Sequence, residues 1–170
     1  MEAMKNLLER RSIRKYKDTQ VPDELLEQVL EAGLYAPTGM NRQNIIMVAV
    51  RDKQTRDRMM RLNAAVMGSQ NDPFYGAPCV IVVLGDPENY PVVENGSLVL
   101  GNLMNAAHAV GLGSCWIHRA RQTFETEEGK ALLRTWGLKD TLVGIGNCIL
   151  GYPDEEPAPR PRLEGRIVRI

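Results

Sequence analysis

Two hydrophobic patterns alternate along the chain: stripes at helical spacing and short unbroken apolar runs. Met4, Leu7 and Leu8 recur three and four positions apart, so residues 1–9 read as a short helix. Leu25, Leu26, Val29, Leu30 and Gly33 repeat that spacing in a second helix, which opens at Pro22. Its first turn carries Asp23 and Glu24, where acids suit the dipole, and Ala36-Pro37 ends it. Residues 52–67 form a charged amphipathic helix, and residues 125–136 a further one with Gly137 near its C-terminus. The runs 45–50, 79–84 and 142–152 read as strands, as does the end of the Gly-rich segment 111–117. The run 45–50 is expected to be buried, and CVIVVL (79–84) is the strongest strand, β-branched, uncharged and bounded by Pro78 and Gly85-Asp86-Pro87. Residues 16–21 and 38–44 are polar loops, and 68–77 is turn-rich, either a lid or a simple connection.

Residues 93–110 form a long helix in which only Glu94 is ionisable at neutral pH before His108. Leu98, Val99, Leu103, Met104, Ala106, Ala107 and Val110 occupy most of its circumference, the pattern of a helix buried on nearly all sides. A 170-residue chain can hardly bury it alone, so part of it is expected at a subunit interface. From Pro153 the chain becomes an extended tail, in which Pro157, Pro159 and Pro161 alternate with Ala158, Arg160 and Arg162. Its last segment, 166–170, is apolar and basic and could add as an edge strand.

The whole chain, 1–170, reads as one domain, with 44% hydrophobic residues for its core. Lys+Arg and Asp+Glu balance at 21 each, so no global field points to nucleic acid or membrane. No apolar run approaches the ~20 residues that span a bilayer, and the charged N-terminus lacks the apolar stretch of a signal peptide. Cys79, Cys115 and Cys148 lie in apolar runs without CxxC spacing, and read as reduced thiols of a cytoplasmic protein. His108 and His118 are too few and scattered for a metal cluster, so no metal is expected.

The densest chemistry is Arg10-Arg11-Ser12-Ile13-Arg14, three guanidiniums and a hydroxyl in five residues. Guanidinium forks grip phosphate bidentately, and a serine can complete the cradle. Taken alone, the stretch reads first as a solvated basic helix end. Two distant stretches change the weighting: APTGMNRQN (36–44), and GLGSCWI (111–117) with GYPDEEPAPRPR (151–162). Together, in this order, they resemble the FMN-dependent nitroreductase family over nearly the whole chain.

That resemblance implies an α+β fold with a central mixed sheet flanked by helices. It implies an intertwined homodimer with helix 93–110 at its core, two interfacial FMN sites, and the tail from about 153 laid on the partner. Arg10, Ser12, Arg160 and Arg162 would hold the phosphate; Arg11 is adjacent, its direction open. Arg14 would stabilise negative charge on the reduced isoalloxazine. Pro37, Thr38, Gly39, Asn41 and Gln43 would contact the ribityl chain and ring edge from the partner subunit. Trp116, Ile117 and His118 would line the flavin face, with His118 standing where the family usually has a small residue. No protein nucleophile or base is implied, since the flavin carries the chemistry. The expected activity is transfer of electrons from NADH or NADPH to a nitroaromatic, quinone or related small acceptor by a ping-pong mechanism. The competing reading is a flavin-binding sensor or carrier without turnover.

Overall fold

A computed structural model describes residues 2–170; Met1, the first residue of the expected 1–9 helix, lies outside them. Six helices, α1 (Ala3–Glu9), α2 (Asp23–Leu34), α3 (Lys53–Val66), α4 (Val92–Ala109), α5 (Ala120–Glu125) and α6 (Glu127–Thr135), accompany four strands. The strands β1 (Ile45–Val50), β2 (Cys79–Gly85), β3 (Gly113–Ile117) and β4 (Val143–Gly151) form one sheet in the order β1-β2-β4-β3. All three pairings are antiparallel, and the mixed character expected of the sheet is limited to an isolated parallel bridge between Ser12 and Ser114.

β2 explains the layering. Successive strand residues face opposite sides. Cys79, Ile81 and Val83 pack with α2 and α4, while Val80, Val82 and Leu84 pack with residues of α3, α5 and α6. Both faces are covered by helices, which is why the strand is apolar throughout. β1, by contrast, is an edge strand and in the single chain only partly buried, with Ile46 and Ala49 exposed, short of the buried strand expected there, because among the described residues no strand pairs beyond it.

Side-chain caps set two helix starts. Asp52 accepts the Thr55 N–H at 2.7 Å to open α3, and Thr126 Oγ1 accepts the Gly129 N–H at 3.0 Å to open α6. Thr126 is extended (ψ 155°), so the helix expected over 125–136 begins at Glu127, and Glu125 instead closes α5, a helix the periodicity missed. α5 lies directly on β4: a Cβ at Gly144 would fall 2.5 Å from the Ala120 backbone. Gly144→Ala is therefore expected to cost about 2 kcal/mol by overpacking, seen as a lower midpoint in chemical denaturation; an unchanged midpoint would mean that α5 lifts freely.

α4 buries Gly96, Val99, Leu100, Leu103 and Ala107 towards the sheet, but leaves Val93 and Leu98 about half exposed in the single chain. Within the single chain it is thus buried on one side and open on the other. The tail forms no strand: residues 166–170 are irregular, with Ile167, Val168 and Ile170 open to solvent. Among the described residues, no helix is long and apolar enough to cross a membrane.

Candidate functional site

The basic stretch follows α1 as extended chain (Arg10 φ −52°, ψ 134°) and runs beside β3, with the Ile13 N–H on the Ser114 carbonyl at 3.0 Å. Ile13 fixes its facing. It is buried against Gly113, where a Cβ would stand 2.9 Å from the Ile13 side chain. In extended chain alternate residues share a face, so Arg10, Ser12 and Arg14 lie on the side opposite Ile13. Arg10 is half-buried, and its Nη1 is shut away from solvent without any partner among the described residues. Such an unmet charged donor is costly unless an acceptor arrives from outside. Arg11 turns back instead: its Nη1 donates to the Leu8 and Arg10 carbonyls, both at 2.8 Å, at the end of α1.

His108, in the last turn of α4, faces the same cluster, and its Nε2 is also buried without a partner among the described residues. Burial lowers its pKa, and Arg10 and Arg11 lower it further against the opposing pull of Glu9. Below the ordinary histidine range the unfolded chain therefore binds a proton that the folded chain refuses, and stability falls as pH falls. His108→Gln is expected to flatten the pH dependence of the thermal midpoint below about pH 6.5; an unaltered slope would remove His108 as its source.

The chain ends converge. Lys17 N–H donates to the Tyr152 carbonyl and Asp154 N–H to the Lys15 carbonyl, each at 2.9 Å, and Glu155 accepts the Arg14 N–H. A fissure of about 600 Å³ lies between the stretch and the tail, lined by Arg11, Ile13, His108, Ser114, Pro157 and Pro159 among others. Arg160 and Arg162 follow just beyond, exposed and, among the described residues, without hydrogen bond or ion pair; the structure leaves them outside the cluster.

A second cleft of about 200 Å³ opens at the C-terminal end of β3, lined by Arg14 together with Cys115, Trp116, Ile117, His118 and Arg119. Met67, Pro73 and Tyr75 form its remaining wall, so segment 68–77 is part of the cleft. Asn63 Nδ2 donates to the His118 carbonyl at 3.0 Å, and Arg119 is left-handed (φ 72°), which turns the chain sharply into α5. The His118 side chain is exposed. Tyr75, Asn63 and Glu155 were not foreseen from sequence, because none belongs to a periodic or repeated pattern.

The loop 37–43 is elsewhere. It precedes β1 on the opposite edge, three strand spacings or roughly 14 Å from β3. Its shape is tightly specified. Asn95 Oδ1 accepts the Gly39 N–H at 2.9 Å, Thr38 Oγ1 the Gln43 N–H at 3.0 Å, and Asn41 Oδ1 the Gln43 side-chain amide at 3.1 Å. Met40, Asn41 and Gln43 are all left-handed (φ 56°, 51° and 50°), a concentration of backbone strain that these hydrogen bonds hold in place. Pro37 precedes them, exposed. Within one chain these residues do not meet Arg10, Ser12 or Arg14.

Comparison with known proteins places this architecture. Residues 7–152 match the model of the nitroreductase family. An Archaeoglobus fulgidus protein, provisionally named an NADH dehydrogenase/NAD(P)H nitroreductase, is 34% identical over 91% of this chain and 87% of its own length. The FMN reductase [NAD(P)H] of Bacillus subtilis is 26% identical over 98% and 72%. Among solved structures, a Bacteroides fragilis nitroreductase with bound FMN superposes with a TM-score of 0.92 at 25% identity, covering 100% of this chain and 99% of the other. A Desulfitobacterium hafniense nitroreductase with bound FMN gives 0.90 at 25% identity, with the same coverage.

Proposed function

The chain belongs to the nitroreductase family, and on that premise we propose that it is an FMN-dependent NAD(P)H oxidoreductase passing two electrons to a nitroaromatic, a quinone or a related small acceptor. The observation that carries the reading is the buried, unpartnered Arg10 Nη1 beside Ser12 at the β3 edge. The residues present suit FMN. Arg10 and Ser12 offer donors to a phosphate, with Arg160 and Arg162 able to swing in from the adjoining tail. Arg14 offers a cation, and Trp116, Ile117 and His118 line the cleft beside it. When bound, FMN supplies the hydride chemistry. Arg14 would place a positive charge beside the ring, where it would stabilise negative charge. No side chain need act as nucleophile. Donor and acceptor would use one cleft in turn, which is ping-pong kinetics.

The separation of loop 37–43 from the cradle supports a homodimer, in which Pro37, Thr38, Gly39, Asn41 and Gln43 come from a second copy. The same assembly would cover Leu98 on α4 and the exposed apolar residues of the tail. Three unpaired thiols, Cys79, Cys115 and Cys148, suit a cytoplasmic location.

The test is the anaerobic visible spectrum of the purified protein before and after NADH, then NADPH. A flavin spectrum that bleaches within the mixing time and returns with a quinone or nitroaromatic is the expected result. Bound flavin inert to both donors would favour the carrier or sensor reading, and a colourless protein that takes up no added FMN would end the cradle argument.

A further inference from the structure

Tyr75 is exposed (44%) yet sits in left-handed backbone (φ 53°), a conformation that a bulky aromatic residue avoids. The strain is held by its neighbours. Asp72 Oδ1 accepts the Phe74 N–H at 2.7 Å and Oδ2 the Gly76 N–H at 2.9 Å, while the Asp72 carbonyl accepts the Tyr75 N–H at 3.2 Å. Asp72 is itself gripped by Arg56 Nη2 at 2.6 Å; Arg56 is buried, donates from Nε to the Ala77 carbonyl at 3.1 Å, and lies over the buried Phe74 ring at 5.6 Å. The residues around Tyr75 are thus tied down while its ring stands open in the small cleft. That is how an exposed side chain on a rigid turn becomes part of a site.

Its ring meets one group of interest. The Arg14 guanidinium carbon lies 6.0 Å from the Tyr75 centroid, within reach of a cation–π contact. Among the described residues the Arg14 side chain has no hydrogen bond or ion pair, so nothing else in the chain fixes its direction. We propose that Tyr75 is a positioning residue, whose ring face holds the Arg14 guanidinium inside the cleft beside Trp116 and His118. The inference rests on the flavin reading above and deepens it: Tyr75 acts on FMN through Arg14.

The experiment uses full-length apoprotein titrated with FMN by fluorescence, together with its thermal midpoint. Tyr75→Gly removes the ring and relieves the left-handed strain, so the midpoint should hold or rise while FMN binds about two- to fivefold more weakly. Tyr75→Phe keeps the ring face and should restore wild-type affinity. In an Arg14→Ala background, Tyr75→Gly should have no further effect on FMN binding. Unchanged affinity in Tyr75→Gly, a Phe variant as weak as the Gly variant, or full multiplication of the two effects would each overturn the proposal. A wild-type protein that binds no FMN would instead bring down the function reading, and this inference with it.

Discussion

Arg10→Ala is expected to weaken FMN binding on the order of 10- to 100-fold, with no loss of apoprotein stability. Two facts set that combination. A guanidinium hydrogen-bonded to phosphate contributes more than a neutral donor, and half-burial shields the charge from competing water. In the free chain, however, Arg10 Nη1 has no partner among the described residues, so its removal takes away a penalty and not a bond. His108, freed from the adjacent cation, should also protonate more easily in the variant. FMN titration against thermal melts of the same apoprotein separates the two quantities. Wild-type affinity in Arg10→Ala would remove the phosphate role; a large fall in the apoprotein midpoint would make Arg10 a packing residue whose stem matters more than its charge.

Asp72→Ala should be the most destabilising single change near the site, by about 3 kcal/mol, or a fall in midpoint on the order of 10 °C. The loss has two parts. Arg56 is only 7% exposed, and without Asp72 it keeps Asp57 and the Ala77 carbonyl but loses a 2.6 Å charged contact. The Phe74 and Gly76 N–H groups lose their acceptor as well. The turn 72–77 should loosen, and amide exchange there should rise well above that of the sheet. Arg56→Met in the same chain should recover part of the stability, since it removes the stranded charge while keeping an apolar stem against Phe74. A midpoint unchanged in Asp72→Ala would mean that the turn is held by Phe74 burial alone.

Much of this architecture was legible in the residue pattern, for local reasons. β2 needs no context: an unbroken β-branched run between turn residues has one outcome. The start of α2 follows from Pro22 and the acids of its first turn, and family membership from short motifs in fixed order. Where the reading failed, a local signal was overridden or lacking. α5 has six residues, too few to show a period, and it starts from a left-handed Arg119 that no propensity announces. Residues 45–50 look like a buried strand because the sequence does not say which strand will be last in the sheet.

The site divides in the same way. Its chemistry, the guanidiniums, the hydroxyls and the polar loop, is written in the sequence, because those residue types are what an anionic cofactor needs. Their arrangement is not. Pairing of 15–17 with 152–154 carries the tail to the basic stretch, and the strand order puts loop 37–43 at the far edge. Arg10 became an unmet donor, Arg11 a helix cap and Tyr75 the neighbour of Arg14 only once the chain closed on itself. Residue type is a local property carried by the sequence; distance and burial belong to the whole fold, and those decide which charges are left in need of a ligand.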